Sequence, residues 1–391
     1  MCTVPVMETR TVLISGAGIA GSTLAYWLHR HGFAVTVVER APRLREGGYN
    51  IDIRGTALEV VRRMGLLDEV RSYATDMLGS TIVDEEGHEK AVMSAELFSM
   101  HEEDDVELMR GDLAKILYDA TKNDVEYLFG DTITALRQDG DGVDVTFEAA
   151  PSRRFDLLVG ADGLHSRVRE LAFGPEENFR RDLGCQVAIG TVPNYLNLDR
   201  WEVTYPMAGR VALVYRARQA DEARAMFLFK SEGSLTEAFA GAGWEVPRLL
   251  DSVREAPDFY VDTVSQIHCE NWAKGRVVLL GDAACAPSLA SGQGTSVALV
   301  GAYVLAGELK AAAGHTKAFA GYEAQLRKFA DLNQQLGPKQ LKGMIQHSRA
   351  QLWFQLKMLR LMPKMPGKDK MVARITEPMR EAANAVALQD Y

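Results

Sequence analysis

Near its amino terminus the chain reads TVLISGAGIAGS, residues 11–22, and this stretch sets the class of fold. A short apolar run, residues 11–15, meets Gly16 at once, and a segment of helical composition follows. A second β-branched run, residues 34–38, then ends at Glu39. The pattern predicts a strand, a tight turn, a helix and a second strand, which together form a right-handed βαβ unit in a parallel sheet.

The glycine spacing at this turn predicts a dinucleotide-phosphate site, with a purely structural tight turn as the alternative. Gly16 permits the turn, Gly18 lets a pyrophosphate approach the backbone, and Gly21 lets the helix pack closely on the strand. Glu39 lies where a carboxylate accepts hydrogen bonds from ribose hydroxyls, and Arg40 completes the predicted cofactor-binding set here. The motif does not separate NAD from FAD, because both carry the same adenosine diphosphate.

Composition narrows the classes of protein that remain. The chain has 391 residues, 47% of them hydrophobic, and its 44 Lys+Arg against 53 Asp+Glu give a net charge of −9. This balance is typical of a soluble globular protein and argues against nucleic acid as the main partner. The longest apolar run, residues 297–307, is too short to span a membrane. Few, scattered cysteines and no secretory signal in residues 1–10 predict a cytoplasmic protein, and no metal-ligand cluster appears.

The organisation of the rest of the chain predicts an α/β protein with an inserted domain. Two apolar runs, residues 155–159 and 276–280, are expected to join the first sheet. Between about residues 185 and 265, short alternating segments are typical of antiparallel strands. The predicted boundaries are 1–72, 105–180 and 266–330 for a discontinuous Rossmann-like dinucleotide-binding domain, 73–104 and 181–265 for a β-rich substrate domain, and 331–391 for a C-terminal helical segment.

The C-terminal segment is interpreted as a long helix packed across the junction between the two domains. Six apolar side chains fall near one helical face and basic residues surround them. They are Leu341, Met344, Ile345, Leu352, Leu356 and Leu359. A basic amphipathic helix that binds a membrane surface or a partner protein is the alternative interpretation.

Two further turns each place an aspartate beside a glycine at the end of a predicted strand. They read DLLVGADGLHSRVR, residues 156–169, and GDAACAPSLASGQG, residues 281–294. In order and spacing these motifs resemble the class A single-component FAD-dependent aromatic hydroxylases, which share the para-hydroxybenzoate hydroxylase fold and include tetracycline-modifying monooxygenases. The resemblance covers Thr11 to about Leu309. It implies that the cofactor is FAD.

The resemblance also implies roles for single residues. Asp162 would lie near the pyrophosphate and the nicotinamide approach, and Asp282 would hold the flavin ribityl chain, unless it caps the next helix instead. The start of the following apolar helix would face the flavin pyrimidine ring and stabilise negative charge on it. Its predicted cofactor-binding residues are Pro287, Gly292, Gly294, Thr295 and Ser296.

Two arginines fit the family by position. Arg110 matches an arginine that opens a helix and reaches toward the cofactor, with a surface ion pair as the alternative. Arg54 lies in the segment that passes the isoalloxazine ring, residues 47–55, and is the predicted catalytic residue, placed to meet nicotinamide, flavin or substrate. A loop ion pair with Asp52 or Glu46 is an equally weighted alternative.

The second motif also departs from the family pattern. Members often have His three residues after its aspartate and Pro seven residues after it, where this chain has Cys285 and Leu289. That proline helps shape the reacting face of the flavin, so Leu289 bears on the geometry of oxygen transfer, and Pro287 is a partial substitute. Cys285 is interpreted as a small packing residue rather than a reactive thiol.

The function implied by the resemblance is that of an FAD-dependent monooxygenase. Hydride from NADPH or NADH would reduce FAD, O2 would add at the flavin C4a carbon, and one oxygen atom would pass to an apolar aromatic or polyketide-like molecule. The alternatives are an FAD reductase, dehydrogenase or halogenase, and a non-catalytic nucleotide-binding module. Aromatic residues of the inserted sheet are expected to line the substrate cavity, although core packing is their commoner fate: Trp201, Tyr205, Tyr215, Phe227 and Phe229.

Overall fold

The computed structural model describes residues 10–45, 47–95, 104–218, 221–230, 233–361 and 367–391, without the side chains of residues 368 and 369. Its strands are β1 Thr11–Ser15, β2 Ala34–Glu39, β3 Asn50–Ile53, β4 Gly79–Val83, β5 Glu89–Ser94, β6 Val106–Met109, β7 Glu126–Phe129, β8 Ile133–Gln138, β9 Val143–Phe147, β10 Arg153–Phe155, β11 Leu157–Gly160, β12 Arg180–Val192, β13 Trp201–Met207, β14 Arg210–Arg216, β15 Ala223–Phe229, β16 Tyr260–Ile267, β17 Ala273–Lys274 and β18 Val277–Leu279. Its α-helices are α1 Ile19–Arg30, α2 Thr56–Met64, α3 Leu67–Ser72, α4 Arg110–Asp119, α5 Arg167–Phe173, α6 Leu235–Ala238, α7 Val246–Arg254, α8 Asp282–Cys285, α9 Gly294–Ala311, α10 His315–Met344, α11 Arg349–Leu361 and α12 Lys368–Ala383, and Glu176–Asn178 and Leu289–Ser291 are 3₁₀ turns.

The predicted βαβ unit forms the middle of a six-stranded sheet with the order β17-β18-β11-β1-β2-β7. Strand β1 pairs in parallel with β2, where Thr11 lies opposite Ala34, and with β11, where Val12 lies opposite Leu157. Only the edge pair of β17 and β18 is antiparallel among these strands. The parallel sheet expected from residues 11–15, 34–38, 155–159 and 276–280 is confirmed.

A second, seven-stranded sheet has the order β16-β12-β15-β14-β13-β4-β5. Its strands come from chain segments that lie between β3 and β17, as the inserted-domain prediction requires. All its pairs are antiparallel except β13 with β4, which run parallel. The predicted fold class is therefore confirmed, whereas the residue boundaries of the domains stay a prediction.

Strand register decides which aromatic side chains of this sheet reach the cofactor fold. Side chains alternate between the two faces of a strand. Tyr205, Phe227 and Phe229 all lie on the face that packs against α6 and α7 and are buried in a separate hydrophobic core. Trp201 shares the face of Tyr205, because the two lie an even number of residues apart. Of the five aromatic candidates, only Tyr215 lies on the opposite face, where its hydroxyl contacts the Asn50 N–H. The prediction that these residues line the substrate cavity is therefore wrong for Tyr205, Phe227 and Phe229.

Helix α10 packs against both sheets. Its first half packs into the core of the parallel sheet through residues such as Phe319 and Leu326, and its end reaches a small cluster on the second sheet through Leu341. Packing across the junction is therefore confirmed. The apolar residues 341–359 do not share one helix, however, because buried Ile345 leaves helical geometry at φ −117° and α11 starts only four residues later.

Helix α11 is a surface helix. None of its residues is buried, and Trp353 and Phe354 are 62% and 59% exposed. Among the residues that the structure describes, no helix combines the length and the hydrophobicity needed to cross a bilayer.

Candidate active site

The three glycines of the first turn have different structural demands. Gly16 has φ +105°, and a Cβ atom on it would lie 2.5 Å from the carbonyl oxygen of Ala161. A Cβ atom on Gly21 would lie 1.9 Å from the carbonyl oxygen of Gly16. Gly18 has an ordinary φ of −76°, and among the described residues its Cβ position faces only the guanidinium of Arg110, at 3.7 Å. Folding therefore requires glycine at 16 and 21, whereas glycine at 18 leaves room beside a cation.

The two aspartate turns both lie against this first turn. The Cβ position of Gly16 is 2.9 Å from the Cα atom of Asp162, and that of Gly281 is 3.2 Å from the Cβ of Ala20 in α1. The start of α9 closes the arrangement, because the Cβ position of Gly294 is 3.8 Å from Asp282 Oδ1. Three turns that are distant in sequence therefore converge at the carboxyl ends of β1, β11 and β18.

Asp282 carries a carboxylate that the protein itself does not use. It is the first residue of α8, makes no capping hydrogen bond, and has no side-chain partner among the described residues. Burial raises its pKa to about 6, and the positive charge of Arg110 works in the opposite direction. The capping alternative is therefore wrong, and the carboxylate is available to accept a hydrogen bond from a hydroxyl of a bound cofactor.

Arg110 opens helix α4, as predicted, and borders the phosphate loop. Its backbone N–H donates to the carbonyl of Tyr49 at 3.0 Å, and its Cβ lies 3.5 Å from the Cβ position of Gly48. Within the described part of the chain its guanidinium has no ion-pair partner, so the surface ion pair is not seen. A part-buried cation without a counter-ion beside Gly18 fits a phosphate group.

Glu39 is held at the end of β2 by backbone donors. Its carboxylate accepts hydrogen bonds from the N–H groups of Ala17 at 3.0 Å and Ala41 at 2.9 Å. These bonds fix it beside the phosphate loop, and its ribose contact stays a prediction. Arg40 is exposed, and its cofactor contact likewise stays a prediction.

Asp162 directs its carboxylate into the protein. It accepts hydrogen bonds from Val168 N–H at 3.1 Å, from Ser15 Oγ at 3.3 Å and from Ser166 Oγ. Burial raises the pKa of the Asp162 carboxyl group, and the hydrogen bond from Ser166 works in the opposite direction. Its side chain thus joins β1 to the turn before α5, so a contact between Asp162 and a cofactor would have to come from its backbone.

Arg54 is an interior residue that forms two ion pairs. Its guanidinium lies 2.9 Å from Asp52 and 3.8 Å from Asp105, and only 8% of its side chain is exposed. Asp52 in turn lies 3.7 Å from the Cβ position of Gly292. The Asp52 alternative is therefore observed, Glu46 lies outside the described residues, and a catalytic role for Arg54 stays a prediction.

The start of α9 contains buried polar groups without partners in the described chain. Both amide atoms of Gln293 and the hydroxyl of Ser296 are fully buried and make no hydrogen bond. Gly292 has φ +64°, a left-handed conformation that favours glycine. Thr295 is buried on the same turn, whereas the carbonyl of Pro287 already accepts a hydrogen bond from Gln266 at 3.0 Å. Buried polar groups are normally paired, so this helix start fits a polar ligand.

These features together fit FAD. The turn at Gly18 has no side chain and lies beside the Arg110 cation, so it can accommodate the pyrophosphate. The Asp282 carboxylate can accept hydrogen bonds from the ribityl chain, and the N–H groups of the first turn of α9 can donate to the polar edge of the flavin ring. Sequence reasoning missed Gln293 and Asp52. The Gly-Gln-Gly spacing was a usable signal for Gln293, whereas only the fold brings Asp52 to Gly292.

The two departures from the family pattern have different consequences. Cys285 is buried, and burial raises the pKa of its thiol far above the usual value, so it is a packing residue as predicted. Leu289 and Met226 of the second sheet pack against the same hydrophobic cluster, so Leu289 lies on the side of the loop that faces that sheet.

Sequence reasoning also missed Glu202, a carboxyl group inside the second sheet. Its Oε1 accepts hydrogen bonds from Ser80 Oγ at 3.2 Å and Thr204 Oγ1 at 2.6 Å. Burial raises its pKa to about 7, the two hydroxyls oppose this shift, and the charge of Glu107 adds to it. The alternation of β13 was a usable signal, because Val203 and Tyr205 mark the other face as the core.

Glu202→Gln should stabilise the protein at high pH only. The pKa of Glu202 rises on folding, so the unfolded chain loses this proton between the ordinary value of 4.5 and about 7 while the folded protein keeps it. Wild-type stability should fall through that window, by at most about 3 kcal/mol. Denaturant unfolding of the two proteins between mildly acidic and alkaline pH should show the variant gaining an advantage as pH rises. A constant difference across that range would contradict the burial of this charge.

Comparisons with known proteins agree with this geometry. A family model described as an FAD binding domain matches residues 9–201. An uncharacterised protein of Mycobacterium tuberculosis is 47% identical over 85% of this chain and 94% of its own length. A flavin-dependent monooxygenase from an unknown prokaryotic organism is 39% identical over 84% of this chain and 89% of its own. The crystal structure of tetracycline destructase Tet(55) is similar with a TM-score of 0.83 and 34% identity, over 98% of this chain and 99% of its own.

Proposed function

This chain belongs to the flavin-dependent monooxygenase family, and we propose that it uses NADPH or NADH and O2 to oxygenate an apolar polycyclic aromatic molecule. The observation that carries the proposal is the convergence of Gly18, Arg110, Asp282 and the start of α9 on one site. A bound FAD supplies the redox chemistry there, because it accepts hydride and its reduced ring reacts with O2.

The residues of the chain contribute binding and electrostatics. Arg110 and the N-terminus of α1 would neutralise the pyrophosphate, and the carboxylate of Asp282 would accept a hydrogen bond from a hydroxyl of the ribityl chain. The N–H groups at the start of α9 would stabilise negative charge on a bound flavin ring, as would the donors of Gln293 and Ser296, which have no partner among the described residues. Arg54 holds Asp52 beside Gly292, which makes it a positioning residue in this proposal.

The proposed substrate class follows from the apolar surface beside this site. Leu213 and Met226 are part-buried on the cofactor-facing side of the second sheet, and Leu289, in the loop before α9, packs against the same hydrophobic cluster as Met226. Flat apolar rings are the chemistry that such a surface accepts, and the name of the similar tetracycline destructase supports a polycyclic molecule. A cytoplasmic location is part of the proposal, and the described cysteines Cys185, Cys269 and Cys285 are free buried thiols.

Isotope labelling tests this function directly. The purified protein should be yellow, and tetracycline, used as the probe, should accelerate its oxidation of NADPH. In ¹⁸O-labelled O2, the product should carry one labelled oxygen atom, which mass spectrometry detects. Label that enters the product only from water would reject oxygen transfer.

Two other outcomes separate the alternatives. An oxidised product without any new oxygen atom would indicate a reductase or dehydrogenase of the same fold. A protein that binds FAD but never oxidises NADPH, with or without the probe, would indicate a non-catalytic module.

A further inference from the structure

The cofactor-facing side of the second sheet carries a row of polar side chains that are not part of the proposed FAD site. Strand register places Ser80, Glu202 and Tyr215 side by side on β4, β13 and β14, and Arg224 of β15 comes next. Arg224 Nε donates to the carbonyl of Gly48 at 3.2 Å. The row therefore lies against the segment that leads to Arg54 and the flavin side of the site.

An apolar surface borders the carboxyl group of this row. Thr204 lies two residues from Glu202 on the same face, and register places Leu213 and Met226 beside it. Leu213 and Met226 are only part-buried, so they present accessible apolar surface. Leu289 packs against the same cluster as Met226 and extends this surface toward the loop before α9.

Only one oxygen of the Glu202 carboxyl group accepts hydrogen bonds from the described residues. Its Oε1 accepts the two hydroxyl hydrogen bonds described above, but its Oε2 has no partner among the described residues. A second carboxylate, that of Glu107 on β6, is close enough to raise the pKa of Glu202 by its charge. Glu107 is itself held by Asn50, whose amide nitrogen donates to it at 2.9 Å. The negative charge of Glu107 therefore acts on part-buried Glu202.

Among the described residues, no arginine, lysine or histidine forms an ion pair with Glu202. Arg224 donates to a backbone carbonyl, and Arg54 pairs with Asp52 and Asp105. Burying the carboxylate of Glu202 without a cation is costly, and an anionic group brought to this place would be repelled by it. A positively charged ligand group would relieve both costs at once.

We propose that Glu202, with Glu107 behind it, binds the protonated amine of an aromatic or polycyclic substrate. The inference rests on the proposed function, because it specifies the substrate of the same site. The ammonium group donates a hydrogen bond to Glu202 Oε2, while the rings of the substrate pack on Leu213, Met226 and Leu289. Tyr215, whose hydroxyl accepts a hydrogen bond from the Asn50 N–H at 3.1 Å, borders the pocket on the side of the cofactor.

Binding of matched ligand pairs to the FAD-loaded protein tests this proposal. One pair is tetracycline and its dedimethylamino derivative, and the other is naphthylethylamine and naphthylethanol. Isothermal titration calorimetry should show the amine of at least one pair binding about tenfold or more tighter than its neutral partner. Equal affinities within both pairs, or no binding by any of the four compounds, would overturn the proposal.

Variants test whether Glu202 causes the preference for the amine over its neutral partner. Glu202→Gln keeps the shape of the side chain and should bring the two members of a pair to within about twofold. The control is Glu177→Gln, which changes an exposed carboxylate on another part of the surface and should leave the preference intact. A Glu202→Gln protein that keeps the wild-type preference would contradict the role of Glu202.

Proton release gives a second measurement on the wild-type protein. Near neutral pH Glu202 is partly protonated, so a bound ammonium should displace a proton from it. The other charged or titratable side chains near Glu202 are Tyr215, Glu107 and Arg224. Titration in two buffers of different ionisation enthalpy should show net proton release near pH 6.5 and none near pH 9. Proton uptake, or no linked proton at either pH, would contradict the proposal.

These tests are independent of oxygen transfer. An amine preference that depends on Glu202 would stand even if labelled oxygen never reached a product, in which case only the proposed function fails. Conversely, if the enzyme incorporates ¹⁸O but binds the neutral and the cationic ligand of each pair equally, the proposed function stands and the inference about Glu202 fails.

Discussion

The Gly18→Val protein should purify folded and without flavin. A side chain at this position meets only the Arg110 guanidinium at 3.7 Å in the folded chain, and the φ of −76° is accessible to valine. The added methyl groups would occupy the space that a pyrophosphate needs. We expect FAD affinity to fall at least about a hundredfold, with a melting temperature close to that of the wild-type apoprotein. Visible absorbance of the purified protein, FAD titration and thermal melting measure both effects.

Two control variants separate loss of cofactor from loss of fold. Gly21→Val should fail to fold, because even its Cβ atom would lie 1.9 Å from the carbonyl oxygen of Gly16. Gly140→Val makes the same chemical change on an exposed turn where no atom lies within 4 Å of the Cβ position, and it should keep its flavin. Normal FAD content in the Gly18→Val protein would show that the first turn does not hold the pyrophosphate.

Asp282→Ala should weaken FAD binding without weakening the apoprotein. The carboxylate has no side-chain partner in the described chain, and burial already raises its pKa to about 6. Its removal costs the folded apoprotein little and relieves a buried charge, so the melting temperature at neutral pH should stay level or rise. Loss of a charge-assisted hydrogen bond to the ribityl chain should reduce FAD affinity by roughly ten- to a hundredfold. FAD titration and apoprotein melting, carried out side by side, give the two numbers.

Asp156→Ala is the matched control for this variant. Asp156 accepts hydrogen bonds from the N–H and the hydroxyl of Thr11, at 2.7 and 2.9 Å, and so holds the start of β1. Its loss should lower the melting temperature while the intrinsic affinity of the folded protein for FAD stays close to wild type. If Asp282→Ala instead behaved like Asp156→Ala, Asp282 would be a structural residue rather than a cofactor ligand.

Most of the cofactor side of the site could be predicted from local sequence. Gly16 adopts φ +105°, and Gly21 lies too close to a backbone oxygen for any side chain. Both positions require glycine, so the sequence itself shows the turn. The family resemblance implied that Arg110 opens a helix, and the structure has it there. The family resemblance supplied the order of the three turns, and the structure brings them together.

The substrate side was less predictable, because it depends on which face of a strand points inward. The aromatic residues Tyr205, Phe227 and Phe229 are conspicuous in the sequence, yet they face α6 and α7. The residues that face the cofactor fold are less conspicuous, among them Glu202, Leu213 and Met226. A strand shows its alternation in the sequence, but two buried faces of one sheet look alike until the partner of each face is known.

The amino-acid sequence by itself determined the parallel α/β fold and the phosphate turn, because glycine geometry and strand patterning act between residues close in the chain. Only the tertiary structure decided that Arg54 pairs with Asp52 and Asp105. It also decided that the C-terminal apolar residues divide between two helices at Ile345, and that the charge of Glu107 acts on Glu202. These arrangements depend on contacts between segments far apart in the chain, and burial of apolar surface across the whole molecule selects them rather than any local preference.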